Sequence, residues 1–534
     1  MEVLYKLRFR NFFLAGFLLF FSACMPPQDS LVISSLEVRG ASEGGSVHFI
    51  IQSNQQWQMS ELPPYLECYP TTGRGYTEVT AIFQTNPLHK KRHATITVAT
   101  FDFSALLTFE QAPTTNNSPP SVPRLLSPSE NHVSTAVFPT FRWEASTDEN
   151  EDALSYTLLY SQDQENWTSL ACGKETTTFL HTPLLGETQY YWKIVVEDGY
   201  SGVSESHIAT FTTGVTNYRN EGEVRTLQEN RLENGVNLVF LCDGFIAEDL
   251  VINGAYDQLA ERASEYFFEI EPYNTYRDYF NAYLVYSYSN DRGISYGAQN
   301  TVKNTSFNLS CNKDSRTSTH MTCNQSRVLS YASKAPIGPF SETLVIVIAN
   351  DARYAGTCWM WTNGQAIALL TAKEDNYPYN FKGVLHHEAG GHGFGKLADE
   401  YTSTSAGRSR SDIPTHHAYG AYTNVDITND LETIYWKHFI NKKSYEKVGA
   451  YEGAYYFTTG VWRAEEGSCM VNNINYYSAP SREAIVKRIK FLANEAYSFE
   501  EFLANDVTTK PKYMLAPPTR LQEYLYLHPP VWVE

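Results

Sequence analysis

The sequence predicts a multidomain chain in which two all-β modules precede a larger α/β domain. Three observations carry this expectation. The first 215 residues consist of short β-rich runs separated by turn residues. A Pro-rich stretch at 113–123 divides those runs into two groups. From about residue 220, strand-like runs alternate with helical spacing. At 534 residues the chain is too long for a single hydrophobic core. Its net charge of −18 argues against nucleic acid or an anionic membrane surface as a partner.

Taken in order, residues 1–23 read as a targeting segment. Lys6, Arg8 and Arg10 precede an apolar run at 12–21 that is too short to span a bilayer. Ser22 and Ala23 before Cys24 resemble a bacterial lipoprotein cleavage site, although Phe21 stands where Leu is usual. That resemblance implies lipidation of Cys24, a tether at 24–31, and a mature chain on the outer membrane or cell surface, held to the membrane by its lipid anchor. An ordinary secretory signal is the alternative, and it is equally extracytoplasmic. Of the eight cysteines, Cys311 and Cys323 flank a Ser/Thr/Asn-rich loop and are the pair best placed for a disulfide. Cys68, Cys172, Cys242, Cys358 and Cys469 read as buried thiols.

Residues 32–112 contain β-rich runs at 46–51 and 93–98. Trp57, Pro64, Tyr65, Leu66, Gly73, Asn86, Arg92 and the closing residues 109–111 resemble a BACON domain. The resemblance implies a small β-sandwich that acts as a spacer or contacts glycans. After the 113–123 linker, residues 124–215 carry an alternating run at 154–160 and a long strand at 190–196. Trp143 and Tyr190 to Trp192 resemble a fibronectin type III β-sandwich. The acidic run at 148–152 suits either a solvated loop or a calcium site.

In residues 216–534 the strand at 236–241 runs into the turn at Asp243 and Gly244. Helical spacing follows at 252–266, ended by Pro272, and strands return at 279–286 and 344–350. A helix is expected to begin before Leu385 and to stop at the glycines around Gly395. It carries His387, Glu388 and His392, with Asp399, Glu400 and Tyr401 just beyond. Two histidines around a glutamate are the layout of a zinc hydrolase, in which neutral imidazoles hold Zn2+ and the carboxylate acts on water.

The spacing is unusual. In an α-helix, residues four apart differ by about 40° around the axis, but His387 and His392 are five apart and differ by about 140°. Either a π-bulge absorbs the extra residue, helped by Gly390 and Gly391, or the histidines share no metal. Asp399 is expected as the third ligand, since turns at Gly393 and Gly395 fold the chain back. Glu400 stays open as an alternative, with His416 and His417 more remote. His386 reads as structural.

The segment resembles the signature of the IgA-peptidase family of zinc metallopeptidases, with Phe394, Gly395 and residues 397–401 matching in order. Residues 243–245, 271–273 and 279–281 extend the likeness. The departure is one extra residue between Glu388 and His392, a spacing similar to that of the dipeptidyl peptidase III family. The resemblance implies a zincin-like α/β metallopeptidase domain acting on protein or glycoprotein substrates, with Glu388 as general base. Met470 resembles the methionine of a metzincin Met-turn, and Tyr401, Tyr476 and Tyr477 are candidate oxyanion donors. A degenerate domain serving as a surface adhesin, and a zinc amidase, are the competing readings.

Overall fold

The computed structural model describes residues 30–232, 235–311, 318–374, 377–403, 408–508 and 526–533. Cys24 and the targeting segment lie outside the described residues. The chain forms two compact units, one of residues 30–179 with 187–214 and one of residues 180–186 with 215 onward. No described helix is long and apolar enough to cross a membrane.

The first unit is all β. Its N-terminal half is one hydrogen-bonded sheet of seven strands rather than two separate layers. The reason is the 15-residue strand Gly45–Met59, which pairs with Thr72–Phe83 along most of its length and with Arg92–Ala99 at its end. A register shift between Ser53 and Trp57 bends it, so the sheet wraps around Phe49, Ile51, Trp57, Phe83 and Phe109. The second half has two sheets, of three and six strands. Phe141, Trp192 and Phe211 meet edge to face between them, with ring centroids 5.1–6.0 Å apart.

The acidic run at 148–152 is neither a free loop nor an open cation site. Asp148 Oδ1 accepts from the N–H groups of Asn150 and Asp152, at 2.8 and 3.1 Å. Asp152 Oδ2 lies 2.6 Å from His89 Nδ1, and His89 stacks on Tyr200 at 4.1 Å. The Pro-rich stretch is pinned to this joint as well, through Ser118 N–H donating to Asn150 and Asn117 donating to Asp198.

The second unit is built on a seven-stranded mixed sheet. Its spatial order is Val224–Gln228, Phe280–Val285, Val236–Asp243, Thr343–Ala349, Ala366–Thr371, Gly356–Trp361, Val531–Val533. Four strands, Phe280–Val285 through Ala366–Thr371 in that order, are parallel, whereas Gly356–Trp361 runs antiparallel to Ala366–Thr371. The parallel strands are apolar on both faces, as strands covered on two sides must be. Helix Ala255–Phe268 buries Tyr256, Leu259, Ala260, Ala263, Phe267 and Phe268. The hairpin strands at 356–361 and 366–371 carry no alternation and escape sequence reading. Cys311 and Cys323 are both thiols, so the expected bridge is not formed.

The helix carrying the histidines starts as a turn of α-helix at Phe381–Val384, capped by Asn380. It continues as a ten-residue π-helix, Leu385–Phe394, across strands Ala366–Thr371 and Gly356–Trp361. Gly395 N–H closes an i→i+5 bond to Gly390 O at 2.9 Å.

Candidate metal centre

The π-helix brings the two histidines together. With i→i+5 hydrogen bonding, residues five apart fall on one face, as residues four apart do in an α-helix. The imidazole centroids of His387 and His392 are 4.8 Å apart. The glycines serve close approach rather than unusual backbone angles. A Cβ on Gly390 would sit 2.5 Å from Tyr477 Oη, and one on Gly391 would collide with Met470 Sδ. Ala389 and these glycines let the helix sit flush against its neighbours.

Beyond Gly395 the chain turns back, with Lys396 at φ +53°, and brings in Asp399. Its Oδ1 lies 2.9 Å from His387 Nε2 and 3.3 Å from His392 Nε2. One donor atom from each of His387, His392 and Asp399 can be chosen so that all lie within 4.8 Å of one another. The far nitrogens are anchored on main-chain carbonyls, His387 Nδ1 on Cys469 O at 3.2 Å and His392 Nδ1 on Leu397 O at 2.8 Å. Those contacts leave the Nε2 atoms facing Asp399.

Glu400, the open alternative, points elsewhere. It accepts from Asn424 at 2.9 Å, from Ser478 at 3.2 Å, and from Ser468. Neighbours in an extended chain face opposite sides, so only one of the two acids reaches the histidines. His416 meets Tyr422 edge to face and stacks on Trp532, and His417 bonds Tyr422 O and Val425 O. Neither joins the cluster. His386 Nε2 is bonded to Tyr266 O, a structural position, and burial pulls its pKa down to about 3.

Glu388 is fully buried, and neither carboxylate oxygen has a hydrogen-bond partner. Burial pushes its pKa up to about 8; the nearby His392 and, weakly, the Cys358 main chain oppose that rise. Gly356 on the strand Gly356–Trp361 makes room for it, since a Cβ there would lie 2.8 Å from Glu388 Cγ. Burial also raises the Asp399 carboxyl, but the two imidazoles outweigh it and hold the group well below the carboxylate range. Burial lowers His387, with Asp399 opposing. In His392 Asp399 and Glu388 overcome burial and raise it.

Residues distant in sequence complete the site. Tyr456 Oη donates to Asp399 Oδ2, turning Oδ1 toward the imidazoles. Met470 is buried beneath Gly391, in a short helix capped by Ser468. Of the tyrosines singled out from sequence, Tyr401 donates to Leu527 O, Tyr476 to Glu465 and Tyr477 to His386 O. Tyr456 was hidden among 37 tyrosines.

His387, His392 and Asp399 thus form a convergent cluster that could hold a metal ion, with Glu388 beside it. Residues 227–445 match the IgA Peptidase M64 family model. The M64 match contains His387, Glu388, His392 and Asp399 but stops short of Tyr456, Met470 and the strand Val531–Val533. No curated protein matches the chain. Similar solved structures include a Bacteroides ovatus GH5 xyloglucanase in complex with a XXXG heptasaccharide, at 16% identity and TM-score 0.16, covering 20% of this chain. Domains A168-A170 from titin are similar at 13% identity and TM-score 0.17, covering 34% of this chain. The fibronectin type-III domain of human fibronectin type III domain containing protein 3 is similar at 19% identity and TM-score 0.16, covering 20% of this chain and 94% of its own. The chain spans 27% of the xyloglucanase and 62% of the titin segment.

Proposed function

We propose that the domain at 216–534 is a zincin-like, zinc-dependent endopeptidase acting on protein or glycoprotein substrates. The observation that carries this reading is the convergence of His387, His392 and Asp399 next to a buried, unpartnered Glu388. Two nitrogens and one carboxylate oxygen are a donor set suited to zinc with a position left open. Zinc held there supplies Lewis-acid chemistry, polarising a carbonyl and lowering the pKa of water to about 7. Glu388, beside the cluster, takes a proton from water and returns it to the leaving amine. Tyr456 and the carbonyls of Cys469 and Leu397 keep the three ligands oriented. A purely adhesive domain gives no reason to bury a carboxylate without partners, which is costly.

In the same reading, residues 1–23 direct export and Cys24 carries a lipid anchor, so the peptidase works at the outer membrane or cell surface. The BACON-like module, with Tyr69, Tyr76 and Phe101 exposed, is the part suited to glycan contact.

The test is metal analysis and turnover on the purified mature protein. About one zinc per chain, lost in His392→Ala, and casein cleavage reduced 10²–10⁴-fold in Glu388→Gln are expected. Zinc-free wild-type protein after reconstitution, or undiminished cleavage by Glu388→Gln, rejects the reading.

A further inference from the structure

We propose that residues 526–533 occupy, in cis, the sheet edge on which a polypeptide docks to reach the metal centre, and must leave before one can. The proposal rests on the peptidase reading above and adds a regulator to that site.

Strand Gly356–Trp361 uses one edge to pair with Ala366–Thr371. Its other edge offers unpaired main-chain groups to any extended chain, which is how sheets capture peptides. The strand begins beside Glu388, at Gly356, so a chain added to this edge is led toward the catalytic carboxylate. That edge is already taken. Trp359, Met360 and Trp361 pair in parallel with Val531, Trp532 and Val533.

The same segment also packs on Tyr401, which neighbours the cluster. Tyr526 stacks on Tyr401 with centroids 4.2 Å apart and planes 13° from parallel, and Tyr401 lies 6.4 Å from the His387 ring. Leu527 O accepts from Tyr401 Oη at 2.9 Å, and Tyr526 O accepts from Thr319 Oγ1 at 3.1 Å. His528 stacks on His320 at 3.9 Å. Pro530 O accepts from Arg408 at 2.8 Å, and Trp532 Nε1 donates to Tyr422 Oη at 2.7 Å. Glu388 and His392 are 0% exposed and His387 and Asp399 1%. No polypeptide reaches these groups in the arrangement observed.

The occupant is built to be displaced. Only three of its residues pair as a strand, and Pro529 and Pro530 have no N–H to add to the edge. A segment of the same chain competes at an effective concentration on the order of millimolar, enough to exclude weak ligands while yielding to tight ones.

The test uses the full chain carrying Tyr526→Ala with Trp532→Ala, and separately Val531→Pro, which breaks the strand pairing alone. The probe is a fluorescein-labelled octapeptide with the sequence of residues 526–533, followed by anisotropy, with zinc content measured alongside. Both variants are expected to bind it at least tenfold more tightly than wild type and to cleave casein at least fivefold faster, chiefly through a lower KM. Equal peptide affinity in wild type and variants overturns the proposal. So does loss of folding in both variants, which would make the segment a structural strand. The anisotropy arm needs no turnover, so it reads the docking edge even where zinc-loaded protein cleaves nothing and the peptidase reading itself fails.

Discussion

Glu388 is the residue whose ionisation the fold feels most directly. Burial raises its pKa from an ordinary 4.5 to about 8, so in the metal-free protein the folded state holds a proton that the unfolded chain has lost. Its contribution to stability is therefore complete below about pH 4.5 and is lost as pH rises toward 8. Metal-free Glu388→Gln will gain on wild type across that window, by on the order of a few kcal/mol at its upper end. Melting temperatures of the pair from pH 5 to 8 check this; parallel curves would contradict it. Tyr456 is the second residue with a distinct expectation. Tyr456→Phe removes the bond that orients Asp399 and will weaken zinc affinity roughly 10–100-fold while preserving the fold. Competition titration with a chelator measures it. Glu400 separates from Asp399 in the same assay. Glu400→Ala strips a buried acceptor from Asn424, Ser468 and Ser478 and will cost about 3 kcal/mol of stability, whereas Asp399→Ala abolishes tight metal binding.

Among the elements, the π-helix Leu385–Phe394 does the most for the site. It reconciles a five-residue histidine spacing with a single metal, and it can do so only because its small residues let Tyr477, Met470 and Leu344 press against it. Gly391→Ala places a methyl against Met470 Sδ, and Met470 sits next to the carbonyl that holds His387. Overpacking of this kind costs about 1–3 kcal/mol, and here it will also weaken zinc binding, readable as a lower melting temperature and a higher dissociation constant together. The strand Gly356–Trp361 is among the elements that sequence reading passes over. It is nearly all buried, so it has no period-2 alternation, and its Gly, Thr and Cys look like loop composition.

At the scale of the whole molecule, the chain divides into two compact units, and the proposed metal centre lies in the second. The first unit's internal joint, with His89 against Asp152 and Tyr200, uses the acidic run for packing. Added calcium will therefore leave its melting transition unmoved. Chelation will lower only the transition of the second unit, because a ligand bound to the folded state stabilises it by RT ln(1 + [L]/Kd). Calorimetry with and without chelator distinguishes the two; a shift of the first transition by calcium would return the 148–152 run to the list of cation sites.

By itself the sequence determined the order of β and α/β regions, the histidine pair, the glutamate between them and the need for a distorted helix. These are local properties, carried by spacing and by the residues within one or two turns. Only the tertiary structure turns Asp399 toward the histidines and Glu400 away, through Tyr456, Asn424, Ser468 and Ser478, brought from 24 to 78 residues away. It alone paired Val531–Val533 with Gly356–Trp361, since a three-residue strand has no pattern to read until its partner exists. Contacts between distant segments depend on how the whole chain closes, and no window of sequence contains that information.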